Sequence, residues 1–191
     1  MITLKVDTKE MKNTARKLEQ FPKEIPKAIN AALNRTATTV NKAIKKEVTS
    51  KYEIKSGEVA GTLNIKKSSA TSLSIMVTSK GKILGLDHFP SNINSVFKGS
   101  KNKNIWVKVK KKNKKIINTS PGAFVNTLGS TMHILKRKGP SKYPLEKLNT
   151  LSIPQMISNV EVSEKIQEKA NETLQKRIEH EVNYRLEKLG K

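Results

Sequence analysis

The chain has no cysteine, so disulfides and thiolate chemistry are excluded, which fits a reducing compartment. Aromatic residues make up 4% of it, with Trp106 the only tryptophan, so large anchors for a core are scarce. No apolar run approaches the ~18 residues of a membrane-spanning helix. Met1 to Glu10 carries Lys5, Asp7, Lys9 and Glu10 and is not expected to act as a secretory signal. Between residues 59 and 145 the only acid is Asp87. That stretch is a poor host for hydrolases, which cluster carboxylates to activate water or hold metal. The Gly-x-Ser-x-Gly, P-loop and Gly-x-Gly-x-x-Gly patterns are absent.

What the chain does have is positive charge, +22 over 191 residues. It is unevenly placed. Residues 59–145 hold 17 Lys/Arg against Asp87, whereas residues 146–191 hold 8 of each sign. The densest run is 101–115, where Lys101, Lys103, Lys108, Lys110, Lys111, Lys112, Lys114 and Lys115 occur without an acid. One reading is contact with a polyanion, either DNA phosphates or an acidic protein surface, with Trp106 stacking on a base or packing beneath the loop. The other is a solvated hairpin whose lysines discourage edge pairing. Arg137 is the only arginine of the region, and the run matches no recognition helix or aromatic stacking platform.

Periodicity divides the chain. Residues 1–7 alternate like a strand, and Thr8 can cap a short helix to about Gln20. From Lys27 to Ser50 an apolar stripe (Ile29, Ala32, Leu33, Thr36, Val40, Ile44, Val48) predicts a long helix, with Pro26 in its first turn. Strands are predicted at 62–65, 73–78, 82–89, 105–110, 123–126 and 132–136, with turns suggested at Gly81, Gly85, Gly99, Gly122, Gly129 and Gly139. A proline-containing connection spans 139–154. Ser152 with Gln155, and again Ser158 with Glu161, resemble capping boxes. A final helix then runs to about Leu189 with apolar residues every fourth position. The expectation is an α+β fold, a curled antiparallel sheet flanked by a long N-terminal-half helix and a long C-terminal helix. Residues 1–154 would form the body (helix 27–50, mainly β 62–137) and 155–191 a helical extension whose end reaches beyond its own core.

Chemistry is weakly signalled. His88, His133 and His180 are far apart, and no helix places two of them at i, i+4. His88 adjoins Asp87, but strand neighbours point to opposite faces. The acids of the final helix interleave with bases at i, i+4, as on a solvated face. No catalytic residue, metal or cofactor is expected.

One feature does point to a family. Ala32-Leu33-Asn34-Arg35-Thr36-Ala37, Tyr52-Glu53-Ile54-Lys55 and Pro121-Gly122-Ala123-Phe124-Val125 occur in that order. Lys136-Arg137-Lys138-Gly139, Pro144-Leu145 and Ser152-Ile153-Pro154-Gln155-Met156 follow. Together they resemble the phage minor tail protein Z family, and they read as a folding framework rather than a reactive site. Asn34 and Arg35 interrupt the helical stripe, so they would contact the sheet or a neighbouring subunit. The resemblance implies a virion protein made in the host bacterial cytoplasm and placed at the head-proximal end of the tail, the neck. There it would complete the tail and enable head–tail joining. Its implied partners are its own copies in a ring, commonly six-fold, and the tail-tube, tail-terminator or head-connector rings. Non-specific contact with packaged DNA is a further implied contact; a membrane is not. Two departures stand out: lysine largely replaces arginine, and 98–116 looks like a lysine-rich elaboration of a shorter hairpin. The alternatives are a small basic nucleic-acid-binding protein and a head-side connector or adaptor.

Overall fold

The computed structural model describes residues 2–5, 16–69, 71–98, 104–117 and 122–190. Strand β1 (Ile2–Lys5) and a 3₁₀ turn (Arg16–Leu18) precede helix α1 (Glu24–Lys51). Helix α2 (Ser56–Thr62), strands β2 (Leu63–Lys66), β3 (Met76–Ser79) and β4 (Ile83–Gly85), a 3₁₀ turn (Leu86–His88) and helix α3 (Ile93–Phe97) follow. The strands continue with β5 (Trp106–Lys110), β6 (Asn113–Ile116), β7 (Phe124–Leu128), β8 (Thr131–Arg137), β9 (Leu145–Lys147) and β10 (Asn149–Ser152). Helix α4 (Ile153–Ile157) leads into α5 (Val160–Leu189).

The apolar stripe dictates α1. Ala28, Ile29, Ala32, Leu33, Thr36, Ala37, Val40, Ile44 and Val48 are buried. Thr36 satisfies its buried hydroxyl on the Ala32 carbonyl at 2.8 Å. In α5 the buried Val162, Ile166, Ala170, Leu174, Ile178 and Val182 recur every fourth residue. A spacing of four exceeds the helical repeat, so the buried line drifts about 40° per step. The two halves of α5 therefore face different neighbours. Val162, Ile166 and Ala170 join a core cluster with Val40, Ile44, Val107, Ile134 and Met156. Leu174, Ile178 and Val182 join a second cluster with Leu18 and the first half of α1.

The two long helices run antiparallel. Arg185 donates to Glu24 at 2.8 Å at one end, and Lys51 donates to Glu161 at 2.5 Å at the other. Residues 160–189 thus lie along the body rather than projecting from it.

The α+β class is as expected, with two long helices and antiparallel strands. In place of one continuous sheet the described strands form four small ones, ordered β1-β3-β2, β10-β4, β5-β6 and β7-β8-β9. The predicted strand 82–89 is shortened, because Leu86–His88 winds into a 3₁₀ turn that carries Asp87 inward to its partners. Residues 73–75 precede β3 as a loop held by bonds among Ser69, Ser72 and Ser74. Most of the predicted helix 8–20 lies outside the described residues; Arg16–Leu18 is 3₁₀ and buries Leu18.

The capping box at Ser152 is present: its N–H donates to Gln155 Oε1 at 2.8 Å, and the Gln155 N–H donates back to Ser152 Oγ at 3.4 Å. The second predicted box is not formed. Ser158 donates its hydroxyl to the Pro154 carbonyl, and Asn159, the residue before α5, accepts at Oδ1 from Lys51 Nζ at 2.6 Å.

Candidate functional site

Six of the eight candidate lysines lie in the described residues; Lys101 and Lys103 lie outside them. Lys108 and Lys110 are on β5, Lys111 and Lys112 form the turn, and Lys114 and Lys115 are on β6. Among the described residues no non-glycine residue has a positive φ, which excludes for the Lys111–Lys112 turn the mirror-image types suited to two-residue hairpins. The register slips between Val107 and Lys110, which accommodates the mismatch in twist.

The hairpin is fastened to the end of α1. The Lys111 N–H donates to the Lys51 carbonyl at 3.0 Å, and the Glu53 N–H donates to the Val109 carbonyl at 2.9 Å. Asn92 holds the approach to β5: its Nδ2 donates to the Asn104 carbonyl at 2.8 Å, and its Oδ1 accepts the Trp106 N–H at 2.9 Å. Lysines so placed sit at the negative end of a 28-residue helix, which favours them.

Internal contacts neutralise part of the run. Lys108 pairs with Glu53 at 2.8 Å, and that hydrogen bond, with Lys111 nearby, holds the Glu53 carboxyl below the usual carboxylate range. Lys114 covers the Trp106 ring at 3.9 Å from its centroid. One face of the only indole is therefore occupied, which disfavours stacking on a base. Lys51 donates to Glu161 and, with Lys165 and Lys110, holds that carboxyl low as well. Lys110, Lys111, Lys112 and Lys115 are exposed and make no ion pair among the described residues. Lys110 and Lys112 border an open groove of about 370 Å³ with Lys51, Lys165, Glu47 and Glu161. This corner can take a carboxylate or phosphate; the two glutamates offer a cation less than the lysines offer an anion.

The structure also assembles groups that spacing did not single out. Asp87 Oδ2 meets His133 Nδ1 at 3.0 Å and Lys147 Nζ at 3.1 Å. Gly85 makes the room, since a Cβ there would collide with Asp87 Oδ1 and Lys147 Cε. His88 turns instead to Glu58, with 2.5 Å between Nε2 and Oε2. The signal for the Asp87 cluster was the isolation of one acid among 17 bases, which leaves it a choice of partners. Asn34 and Arg35, expected to contact the sheet or a neighbouring subunit, meet a loop and a helix of their own chain instead; Asn34 reaches the loop after β2. It donates to the Ser68 carbonyl at 3.1 Å and accepts the Ser68 N–H at 2.9 Å. Arg35 reaches α5, 3.2 Å from the buried Glu181, which Arg185 also approaches at 4.0 Å. Among the described residues no group of three or more His, Asp or Glu is placed to hold a metal ion. No described helix is long and apolar enough to cross a membrane.

No curated protein and no solved structure matches this chain. A family model described as prophage minor tail protein Z matches residues 8–191.

Proposed function

Because this chain belongs to the prophage minor tail protein Z family, we propose that it completes the head-proximal end of a phage tail and enables the tail to join a filled head. A member of this family is a structural component of the phage tail. The neck position, the ring and the joining step are our reading. The match over residues 8–191 is the observation that carries it, because it takes in both long helices and all but the first strand rather than one motif.

On this reading the protein is not an enzyme, and its work is to present surfaces. The braced pair α1 and α5 is the rigid part of each subunit of a ring. The exposed lysines of the β5–β6 turn face an anionic neighbour, either an acidic ring of the tail or connector, or packaged DNA. A net charge of +22 also favours the reading as a nucleic-acid-binding protein. The lysine over Trp106 weighs against that reading, because it withdraws a stacking surface. A defined length of DNA protected from nuclease digestion would favour it over the tail reading.

Electron microscopy of purified tails carrying an epitope-tagged copy tests the proposed position. Label confined to the head-proximal end is the expected result. Label along the tube or at the distal tip would overturn it.

A further inference from the structure

The longest stretch without Lys, Arg, Asp or Glu is residues 116–135, in a chain with 28% charged residues. It contains all of β7 and most of β8. Strand β7 is the edge of its sheet, and among the described residues it pairs only with β8. Natural edges are guarded by charge, lysine above all. Here the edges of the other sheets carry a lysine or lie within two residues of one: Lys5, Lys66, Lys82, Lys108, Lys115 and Lys147. Strand β7 carries no such guard of its own; the nearest charge is the Arg137 guanidinium of β8, 5.2 Å from the Phe124 ring at the start of the strand, away from Thr127 and Leu128. Helix α3, which packs on β7 and β8, is also uncharged (Ile-Asn-Ser-Val-Phe). Phe97 on α3 and Leu128 at the end of β7 are about half exposed, at 48% and 53%.

The hairpin sets which backbone groups face outward. Gly129, with φ of 65°, and Ser130, which has no positive φ, form a two-residue turn of the kind that takes glycine first. Leu128 and Thr131 flank it as a hydrogen-bonded pair, and the antiparallel ladder alternates from there. Asn126 and Phe124 thus bond to β8, while Thr127 and Val125 aim N–H and C=O at the open edge. The Thr127 N–H is accordingly taken by a local stand-in, Asn126 Oδ1, at 2.8 Å.

Charge selects the occupant. Copies of a +22 chain repel, but ionic screening over about 8 Å means that the charge near the contact decides. The lysine corner suits an acidic neighbour and opposes a second copy. The uncharged edge suits a second copy. We infer that β7 is where one copy meets the next, its open edge pairing with an extended segment of a neighbouring copy. This rests on the ring reading and names the surface that would build the ring.

Sedimentation velocity of the full chain over a concentration series tests it, run at low and at high salt. The wild-type chain is expected to self-associate, no less at high salt than at low. Thr127→Pro removes an outward donor and leaves the β7–β8 ladder, and it should weaken association roughly tenfold or more. Thr127→Lys, which restores the missing guard, should do the same, and both variants should keep the wild-type melting profile. Lys111→Glu with Lys112→Glu should not weaken association. If Thr127→Lys, folded, associates like wild type, the edge is wrong while the ring reading stands. A wild-type chain that is monomeric at every soluble concentration overturns the edge too; the labelling of tails then decides the neck position separately.

Discussion

Asp87 supplies the only negative charge in a long basic stretch, and it lies nearly buried between Lys147 and His133. Side-chain exposure is 10% for Asp87 and 15% for His133, so water screens the pair poorly. Replacing Asp87 by Asn should lower stability by roughly 2 to 3 kcal/mol, because Lys147 loses its counter-charge and the hydrogen bond with His133 is weakened. Chemical denaturation monitored by circular dichroism would measure the loss; an unchanged midpoint would show that the cluster holds nothing. Asn34 offers a graded test. Asn34→Asp keeps the acceptor for the Ser68 N–H, removes the donor to the Ser68 carbonyl, and sets a carboxylate against that carbonyl. A loss of about 1 to 2 kcal/mol is expected, read in the same denaturation assay. In the sequence the nearest candidate partner of Asp87 is its neighbour His88, but the histidine it meets is 46 residues away. Pairing across that distance depends on how the 3₁₀ turn and β8 meet, which local periodicity does not carry. Asn34 was legible because a polar residue on an apolar stripe must find a partner.

At the scale of elements, the long helices were the most legible part. Apolar residues that keep helical spacing over many turns fit neither a strand nor a loop. The short strands β6, β9 and β10 were missed. Asn-Lys-Lys-Ile shows no alternation, and Leu-Glu-Lys is too brief to show any. Where the last helix lies was not legible either. A repeat of four gave its buried line, but only packing shows that α1 and both core clusters receive it. Ending the chain after Asn159 should therefore abolish folding. It removes the buried Val162, Ile166, Leu174, Ile178 and Val182. At about 2 kcal/mol each the loss is comparable to the stability of a whole domain. The fragment should show no cooperative melt; a fragment that folds would make 160–189 a dispensable extension. The junction of the two helices also sets an acid response. The carboxyl of Glu161 is held below its ordinary value of 4.5, first by the hydrogen bond from Lys51. Its contribution is fully present above about pH 4.5 and fades as pH falls through the lowered value. Lys51→Met should therefore flatten the acid limb of the stability profile while leaving its slope above pH 6 alone. Thermal melts across the pH range would show it, and an acid limb as steep as wild type would contradict it.

At the scale of the molecule, charge sorts the surfaces. The lysine corner at the end of α1 favours an anion, and the proposed contact between copies falls on strand β7, which carries no charged residue. The family resemblance was legible from short segments in order, and the match to residues 8–191 extends it to nearly the whole chain. The structure places those segments in supporting roles: Asn34 and Arg35 hold the loop after β2 and α5, and Ser152 with Gln155 starts α4. The most direct measurement is electron microscopy of particles made with and without this protein. The account predicts that its absence leaves full-length tails and filled heads that do not join. Joined, normal particles in its absence would contradict it.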